Sequence, residues 1–394
     1  TGGQNALIVA SSALSEQVVF DVLNSAFDSA GQRCSALRIL CLQEDAADHI
    51  LTMLKGAMQE LSVSKPDLLS ADVGPVIDQE AKEIIERHIA KMRHAGHPVE
   101  QISMDTNTEF GTFVAPALIE INDIAELERE VFGPVLHVVR FKRENLDALV
   151  EAINHTGYGL TFGIHSRIDE TISHISNRIH AGNIYVNRNI VGAVVGVQPF
   201  GGQGLSGTGP KAGGPLYLFR LLSQGNDQLP SPFNPTEPAS LTLALPGPTG
   251  ETNVYRLVPR GTVLAFAQSE QGFITQLSQI TATGNQALFI DSPATRQWLD
   301  KTEAGQREQI SLIADSQVDE AGFDAVLFEG DSDDLCNLNQ RLSQRKGPIM
   351  IAYGLSPEEI IQGKQYPWLG LVHEQSISTN TAAAGGNASL MTIG

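Results

Sequence analysis

The stretch Ser29–Leu42 reads SAGQRCSALRILCL and combines a helix end, a turn and the start of a strand. Upstream of it, Ser15–Ser29 has the apolar spacing of an amphipathic helix, and Ala30-Gly31 marks a tight turn. Ser35–Leu42 is apolar and suited to a β-strand. A helix that leads directly into a strand predicts an α/β fold at this point of the chain.

The same alternation continues on both sides of this stretch. Strands are predicted at Leu7–Ala10, Val131–Phe141 and Gly182–Asn187. The predicted helices, which show the spacing of amphipathic helices, are Asp45–Leu61, Ala81–Ala95, Asn145–Asn154 and Asp169–Ile179. Alternating strands and helices predict an α/β class with a largely parallel sheet.

A proline-rich stretch, QLPSPFNPTEP at Gln228–Pro238, is the best linker in the chain. Beyond it a second α/β pattern follows, with no GxGxxG or GxxxxGK[ST] between a strand and a helix. This pattern predicts a Rossmann-like unit without a phosphate-binding loop. Its predicted elements are the strands Val263–Ala267, Ala287–Ile290, Ala325–Phe328 and Pro348–Ala352 and the helices Gly272–Ile280, Arg296–Lys301 and Ser332–Arg345.

Composition and charge disfavour several classes of partner and site. The net charge of −19 disfavours nucleic acid and an acidic membrane surface as partners of this segment, and the longest apolar runs are too short to span a bilayer. Three cysteines without a CxxC pair fit a reducing cytosol, which predicts a cytoplasmic location. The ten histidines show no metal-ligand spacing, so no metal site is predicted.

Cys34 is the strongest candidate for a catalytic residue. It follows the predicted turn and has Arg33 beside it, and a neighbouring cation favours the nucleophilic thiolate form of a cysteine. On local context alone, a small buried apolar side chain is the commoner role of a lone cysteine. Cys41 and Cys336 have weaker claims to reactivity.

A second candidate region is the glycine-dense stretch Gly192–Gly214, which includes PFGGQGLSGTGPKAGGP. Its glycines permit positive φ angles and a close approach of the backbone to a ligand. A plain surface loop is the alternative, although long irregular loops in compact domains are usually functional or disordered.

Six segments occur in the order seen in the aldehyde dehydrogenase superfamily: TGGQNALIV, FDSAGQRCSALR, EVFGPVL, GYGLTFGIHS, GNIYVNR and QPFGGQGLSGTG. The variants resemble the L-glutamate γ-semialdehyde (Δ1-pyrroline-5-carboxylate) dehydrogenase branch, as fused in bifunctional proline-utilisation (PutA) proteins. VGAVVGVQPFGGQGLSGTGPKAGGP is the most specific stretch, and the final AAAGGNASLMTIG is similar to the tail of long members.

The resemblance implies a mechanism and a cofactor. Cys34 would attack the aldehyde of L-glutamate γ-semialdehyde, hydride would pass to NAD from the resulting thiohemiacetal, and water would release glutamate from the thioester. Glu130 and Phe132 would contact the nicotinamide ribose and ring, and Thr1 and Gly2 would place backbone near the nicotinamide. A solvated helix-end carboxylate and a core aromatic are the plainer roles of Glu130 and Phe132.

The resemblance also implies a substrate site. Backbone N–H groups of Gly192 and Ala193 would hold the α-carboxylate, and the Ser35 hydroxyl could add a donor. The aromatic walls and the positive potential would come from Phe27, Phe200 and Arg33. For the two aromatics core packing is the plainer role, and for Arg33 an outward salt bridge.

The domain limits expected from the resemblance are a catalytic domain at 1–227, the linker at 228–238, a C-terminal Rossmann-like domain at 239–380 and a tail at 381–394 that could cover an internal tunnel. In the family a Glu that activates the hydrolytic water directly precedes the residue equivalent to Thr1. The main dinucleotide domain, and a proline dehydrogenase with its FAD, are expected upstream in the same polypeptide. The chain by itself is therefore expected to be inactive, and its parent to be a homo-oligomer.

Two alternatives stay open at this point. One is an aldehyde dehydrogenase for a different acid aldehyde, which the carboxylate-anchor match disfavours. The other is a structural or assembly fragment without catalysis, which the expected upstream Glu and the absent phosphate loop favour for the chain in isolation. The parent is expected in the cytoplasm, with peripheral association at the inner membrane as a further option.

Overall fold

The computed structural model describes residues 2–104, 108–222 and 242–382. Two units form within the chain: Thr1–Thr208 with Ala244–Val254 and Ser376–Gly394 make the first, and Gly209–Leu243 with Tyr255–Gln375 make the second. The proposed linker at 228–238 and nearly all of the tail at 381–394 lie outside the described residues. The domain limits expected from the sequence therefore stay a prediction.

Helices and strands alternate through the first unit and are numbered in chain order. Its helices are α1 (Ser15–Phe27), α2 (Glu44–Gln59), α3 (Gln79–His94), α4 (Leu146–His155) and α5 (Asp169–Ser176). Its strands are β1 (Ala6–Val9), β2 (Ile39–Gln43), β3 (Val99–Gln101), β4 (Ala117–Glu120), β5 (Val135–Phe141), β6 (Tyr158–Gly159), β7 (Thr161–His165), β8 (Asn183–Val186) and β9 (Gln203–Gly204). Two later strands, β10 (Thr242–Leu245) and β11 (Glu251–Pro259), contain residues of both units.

Strand β1 lies in the middle of a mostly parallel sheet. It pairs in parallel with β2, where Ala6 faces Ile39, and with β7, where Ala6 faces Phe162. Beyond β7, the order continues through β8, which pairs in parallel with residues Ser376–Thr379 of a late strand. Because these strands are parallel, the segments that enter β1, β2 and β7 meet at one edge of the sheet.

The α/β class and the parallel sheet are confirmed, but several predicted limits shift. Strand β2 begins at Ile39, since the preceding residues form a loop, and β5 begins at Val135, after the turn at Gly133. The strand predicted at Pro348–Ala352 is wrong by several residues, because the apolar run there leads into a strand at Ala352–Leu355.

The second unit has a five-stranded parallel sheet. Its elements are β12 (Thr262–Phe266), α6 (Glu270–Ala282), β13 (Gln286–Ile290), α7 (Pro293–Lys301), α8 (Ala304–Arg307), β14 (Ile310–Ile313), β15 (Ala325–Glu329), α9 (Ser332–Ser343), β16 (Ala352–Leu355) and α10 (Pro357–Ile361). The order β14-β13-β12-β15-β16 is that of a doubly wound nucleotide-binding half. The last strand, β17 (Val372–Asn380), again contains residues of both units.

In the second unit, a buried carboxylate occupies the helix end at which nucleotide-binding folds usually bind phosphate. Glu329 is fully buried at the end of β15, and its Oε2 accepts hydrogen bonds from the backbone N–H groups of Gln268 (2.6 Å) and Ser269 (2.9 Å) at the start of α6. Gly272 leaves the room for it, because a Cβ there would lie 1.9 Å from that oxygen. In dinucleotide-binding folds the phosphates take this helix end, which here is occupied by the protein itself.

None of the helices in the ranges that the structure describes is long and apolar enough to cross a bilayer.

Candidate active site

The turn before Cys34 has an unusual backbone. Ser29, Ala30 and Gly31 are all in the left-handed region, with φ of 55°, 53° and 64°. A Cβ on Gly31 would lie 2.2 Å from the carbonyl oxygen of Gly133, so only glycine allows these two loops to touch. Left-handed non-glycine residues cost free energy and concentrate at functional sites. The sharp reversal sets Cys34 in the loop that enters β2.

Asn5, at the entrance to β1, fixes this loop. Its Nδ2 donates to the carbonyl oxygens of Cys34 (2.7 Å) and Ala36 (2.9 Å), while its Oδ1 accepts from the N–H of Thr161 (3.1 Å). The Thr161 hydroxyl donates to the carbonyl oxygen of Ser35 (3.1 Å). One amide therefore ties together the segments that enter β1, β2 and β7, and holds the backbone of Cys34.

The three cysteines differ in access. Cys34 is partly exposed, Cys41 is completely buried in β2, and Cys336 is exposed on α9. Burial raises the pKa of the Cys41 thiol to about 12, which keeps that thiol protonated and unreactive. Of the two cysteines near this edge of the sheet, only Cys34 is open to a reactant.

The segment Gln32–Arg38, which leads into β2, is called here the cysteine loop. Its last residue, Arg38, contacts the segment that leads into β5. Its side chain is only 1% exposed. It donates to Glu130 Oε1 from Nε (3.3 Å) and Nη2 (3.2 Å), and to the carbonyl oxygen of Gly133 from Nη1 (3.0 Å). Nη2 also reaches the carbonyl oxygen of Arg33 (3.3 Å), and the guanidinium lies 5.1 Å from the Phe132 ring centroid. A buried cation thus contacts Glu130 and Phe132, two of the four residues predicted to contact the cofactor.

Glu130 keeps one oxygen turned toward the start of the chain. Its Oε2 accepts from the Gly3 N–H at 3.1 Å, and a Cβ on Gly2 would lie 2.3 Å from the same oxygen. The Gly2 carbonyl is held by the Ser206 hydroxyl at 2.7 Å. Burial raises the pKa of Glu130, whereas Arg38 and the Gly3 N–H act in the opposite direction.

The pair Glu130 and Phe132, called here the cofactor corner, suits the nicotinamide end of a dinucleotide. A carboxylate that Arg38 and the Gly3 N–H hold in place can accept ribose hydroxyls, and Phe132 is 45% exposed and therefore open to contact. Thr1, the remaining residue predicted for the cofactor, lies outside the described residues.

The segment from Gly192 to Gln198, called here the anchor loop, follows β8. Gly192 and Gly196 have φ of 74° and 81°, and a Cβ on Gly192 would meet nothing within 4 Å. Among the described residues, the N–H groups of Gly192 and Ala193 have no hydrogen-bond partner. Two adjacent free N–H groups on an exposed turn can receive an anion.

Helix α1 connects the anchor loop to the cysteine loop. The Ser25 carbonyl oxygen accepts from the Leu37 N–H (2.8 Å), and the Ser25 hydroxyl accepts from the Ile190 N–H (3.1 Å). One residue of α1 therefore holds a point three residues after Cys34 and a point two residues before Gly192.

The other residues predicted to contact the substrate differ in how deeply they are buried. Phe200 is partly buried, whereas Phe27 is 1% exposed and packs in the hydrophobic core of the first unit. Ser35 is buried, and Arg33 is partly exposed with its Nε donating to the Ser29 hydroxyl at 3.1 Å. Their contacts with substrate stay predictions, and the position of Phe27 equally suits a core residue.

Behind Arg38 lies a pair of neutral imidazoles. His137 Nδ1 is 3.1 Å from the Arg38 carbonyl oxygen and therefore carries the proton, so its Nε2 accepts from His88 Nε2 at 2.8 Å. Burial lowers the pKa of His137 to about 3 and that of His88 to about 4, with the nearby cations Arg38, Lys91 and Arg129 acting in the same direction.

This pair predicts a loss of stability in mild acid. Both folded-state pKa values lie below the ordinary value near 6.5, so the unfolded chain takes up protons first as the pH falls from about 6.5 toward 4. His88→Gln keeps a donor to His137 and removes one titrating group. We expect it to reduce the stability lost between pH 7 and 4.5 by roughly 1–3 kcal/mol, measured by urea unfolding. Equal pH dependence in both proteins would contradict this.

Asn5 and Arg38 were not identified from the sequence. Arg38 could have been, since a lone cation in the apolar run SALRILCL must be paired if it is buried. Asn5 precedes an apolar strand, but nothing local shows that its amide joins segments more than a hundred residues apart.

Comparisons with known proteins identify a family and its members that resemble this chain. A family model described as the aldehyde dehydrogenase family matches residues 1–224. The bifunctional protein PutA of Escherichia coli (strain K12) is 50% identical over 443 aligned residues, covering 100% of this chain and 33% of the relative. The 1-pyrroline-5-carboxylate dehydrogenase of Bacillus mycoides (strain KBAB4) is 36% identical over 221 residues, 55% of this chain and 42% of that protein.

Two solved structures of proline utilization A proteins resemble parts of this chain. A crystal structure of a bifunctional proline utilization A (PutA) protein is 56% identical with a TM-score of 0.53, covering 55% of this chain and 22% of that one. The proline utilization A of Corynebacterium freiburgense covers 97% of this chain and 39% of its own with a TM-score of 0.71; at 24% identity this likeness concerns the fold alone.

The chain spans about a third of the length of the curated PutA relatives that it matches. The family model covers more than half of the chain, and its range includes the cysteine loop, Glu130 and the anchor loop. The chain therefore belongs to the aldehyde dehydrogenase family, as its ordered motifs predicted.

Proposed function

We propose that the chain carries the aldehyde-oxidising site of a longer proline-catabolising polypeptide, and that this site converts L-glutamate γ-semialdehyde to L-glutamate with NAD. The observation that carries the proposal is the anchor loop, whose adjacent Gly192 and Ala193 N–H groups are free to hold a carboxylate. It is joined through Ser25 to the loop of a partly exposed cysteine.

The reaction begins with Cys34. Its thiolate attacks the aldehyde carbon, a C–S bond forms, and the carbonyl electrons move to the oxygen of a thiohemiacetal. The backbone N–H of Cys34 is one donor for this oxyanion, and Asn5 holds the peptide that follows it through the Cys34 carbonyl oxygen. NAD, when bound, accepts the hydride from the thiohemiacetal carbon.

The residues around the cofactor corner orient the reactants. Glu130 would accept hydroxyl groups of the nicotinamide ribose, and Phe132 would lie against the ring, both held by Arg38. Loss of hydride leaves a thioester on Cys34. Water then attacks that carbonyl, the C–S bond breaks, and glutamate and the Cys34 thiol are released.

The test of this function is substrate selectivity. The complete polypeptide should oxidise L-glutamate γ-semialdehyde with a far lower KM than propanal. Ala193→Pro removes one of the two N–H donors, and we expect the KM for the semialdehyde to rise about tenfold or more. The kinetics with propanal, which has no carboxylate, should change much less.

Two results would contradict the proposal. A wild-type protein without preference for the carboxylate-bearing aldehyde would refute the substrate assignment. Equal losses with both aldehydes in Ala193→Pro would show general damage to the loop instead of a lost anion contact.

A further inference from the structure

The anchor loop is closed by one buried amide. Gln198 is 2% exposed, and its Oε1 accepts from the Val194 N–H at 3.0 Å. The backbone N–H of Gln198 donates to the Val194 carbonyl oxygen at 2.9 Å. Gln198 therefore fixes both polar groups of the residue that directly follows Ala193, and its position sets the direction of the N–H groups proposed to hold the substrate carboxylate.

Gln198 is held in turn by residues from far along the chain. Its Nε2 donates to Glu251 Oε1 (2.8 Å) and to the Ser378 hydroxyl (3.0 Å). Glu251 begins β11 and Ser378 lies in β17, and both belong to the first unit. Both also lie beyond residues 1–224, the range that the family model matches.

Glu251 also holds the residue that leads into the loop. Its Oε2 forms an ion pair with Arg188 Nη1, which donates to the Ser378 hydroxyl as well (3.0 Å). The Arg188 guanidinium lies 5.3 Å from the Tyr185 ring centroid of β8. Asn253 Nδ2 donates to Glu251 Oε1 at 2.9 Å. One carboxylate thus bridges Arg188 before the anchor loop and Gln198 at its end.

We propose that Glu251 is a positioning residue for substrate selectivity: it fixes the anchor loop so that Gly192 and Ala193 can hold a carboxylate. A loop that is already ordered loses less entropy when it binds. The charge of Glu251 is neutralised by Arg188, so it does not repel an anionic substrate. This inference rests on the proposed function, which makes a carboxylate-bearing aldehyde the substrate.

The test compares three variants in the complete polypeptide. Glu251→Gln keeps the shape and removes the ion pair. Gln198→Glu places a second carboxylate against Glu251. The double exchange, Gln198→Glu with Glu251→Gln, again places one amide donor opposite one carboxylate acceptor. It also restores the wild-type net charge. Glu120→Gln is the matched control. Glu120 is also a strand carboxylate in an ion pair, here with Lys55 (3.0 Å) and Arg140 (3.3 Å), but it lies on β4.

We expect Glu251→Gln to raise the KM for L-glutamate γ-semialdehyde about tenfold, equivalent to ~1.4 kcal/mol, with kcat changed less than about twofold. Gln198→Glu should raise this KM further, and the double exchange should recover most of the loss. The Kd for glutamate, measured by calorimetry, should follow the same order. With propanal, the kinetics of these variants should stay near those of the wild type. The Glu120→Gln control should have near-wild-type kinetics with both aldehydes.

Three outcomes would overturn the role of Glu251: an unchanged KM for the semialdehyde, equal rises for both aldehydes, or no recovery in the double exchange. Failure of the proposed function looks different. In that case the wild-type protein itself shows no preference for the semialdehyde, whatever the variants do.

Discussion

Cys34→Ala is expected to lower the rate of semialdehyde oxidation by roughly 10³-fold or more, because no covalent intermediate can form without the thiol. The backbone of the loop should stay in place. Asn5 contacts the carbonyl oxygen of residue 34 and not its side chain, and alanine occupies less space than cysteine. NAD binding, measured by quenching of protein fluorescence, should therefore persist.

Cys336→Ala is the matched control for this variant. Cys336 is exposed on α9 in the second unit, so its replacement should leave turnover unchanged. Substantial turnover in Cys34→Ala would refute the nucleophile assignment. A loss of NAD binding in Cys34→Ala would show that the variant damages the site more widely than the account allows.

Arg38→Met is expected to cost about 3–5 kcal/mol of unfolding free energy, because it leaves the Glu130 carboxylate largely buried without its cation. The variant also frees the carbonyl oxygens of Gly133 and Arg33 from their donor. The Glu130 pKa should rise further, since Arg38 is the main group that lowers it. We expect the KM for NAD to increase together with the loss of stability.

A second substitution separates the two effects. Adding Glu130→Gln to Arg38→Met removes the unpaired charge and should recover part of the unfolding free energy, measured by urea denaturation. The KM for NAD should stay high, because the charged acceptor for the ribose is gone. A double variant that recovers NAD affinity along with stability would contradict the role given to Glu130.

Local pattern was enough to predict the α/β class and most elements of both units. Helix α1 has amphipathic spacing and strand β1 is a short apolar run, and their limits shift by only one or two residues. The error at Pro348–Ala352 has a local cause: apolar residues continue through a segment that is not paired, and pairing alone decides where the strand begins. β-Pairs are set by distant partners, so several strands were missed, among them β4, β7, β11, β14 and β17.

The motifs account for most of the candidate residues that the sequence indicated. Cys34, Glu130, Phe132 and Gly192 all lie in motif segments, and the structure places them in loops at the entrance or exit of strands. The contacts that hold these loops were not predictable. Arg38 meets Glu130 across 92 residues, and Gln198 meets Glu251 across 53, so only the folded chain brings the partners together.

Phe27 has two roles that its position allows, a core residue and a wall of the substrate site, and the second stays a prediction. It is the first residue of the motif FDSAGQRCSALR, and its side chain is buried in the same core as β1 and β2. An aromatic side chain near a reactive residue in sequence can serve the core of the unit, since helix periodicity directs it inward.

The most direct test of the account is to identify the covalent intermediate. The complete polypeptide is mixed with L-glutamate γ-semialdehyde and NAD, quenched in acid within one turnover, digested and analysed by peptide mass spectrometry. The account predicts a glutamyl thioester on the peptide containing Cys34, its absence in Cys34→Ala, and no adduct on the peptides of Cys41 or Cys336. Turnover without an adduct at Cys34, or an adduct on another residue that forms and decays at the turnover rate, would contradict it.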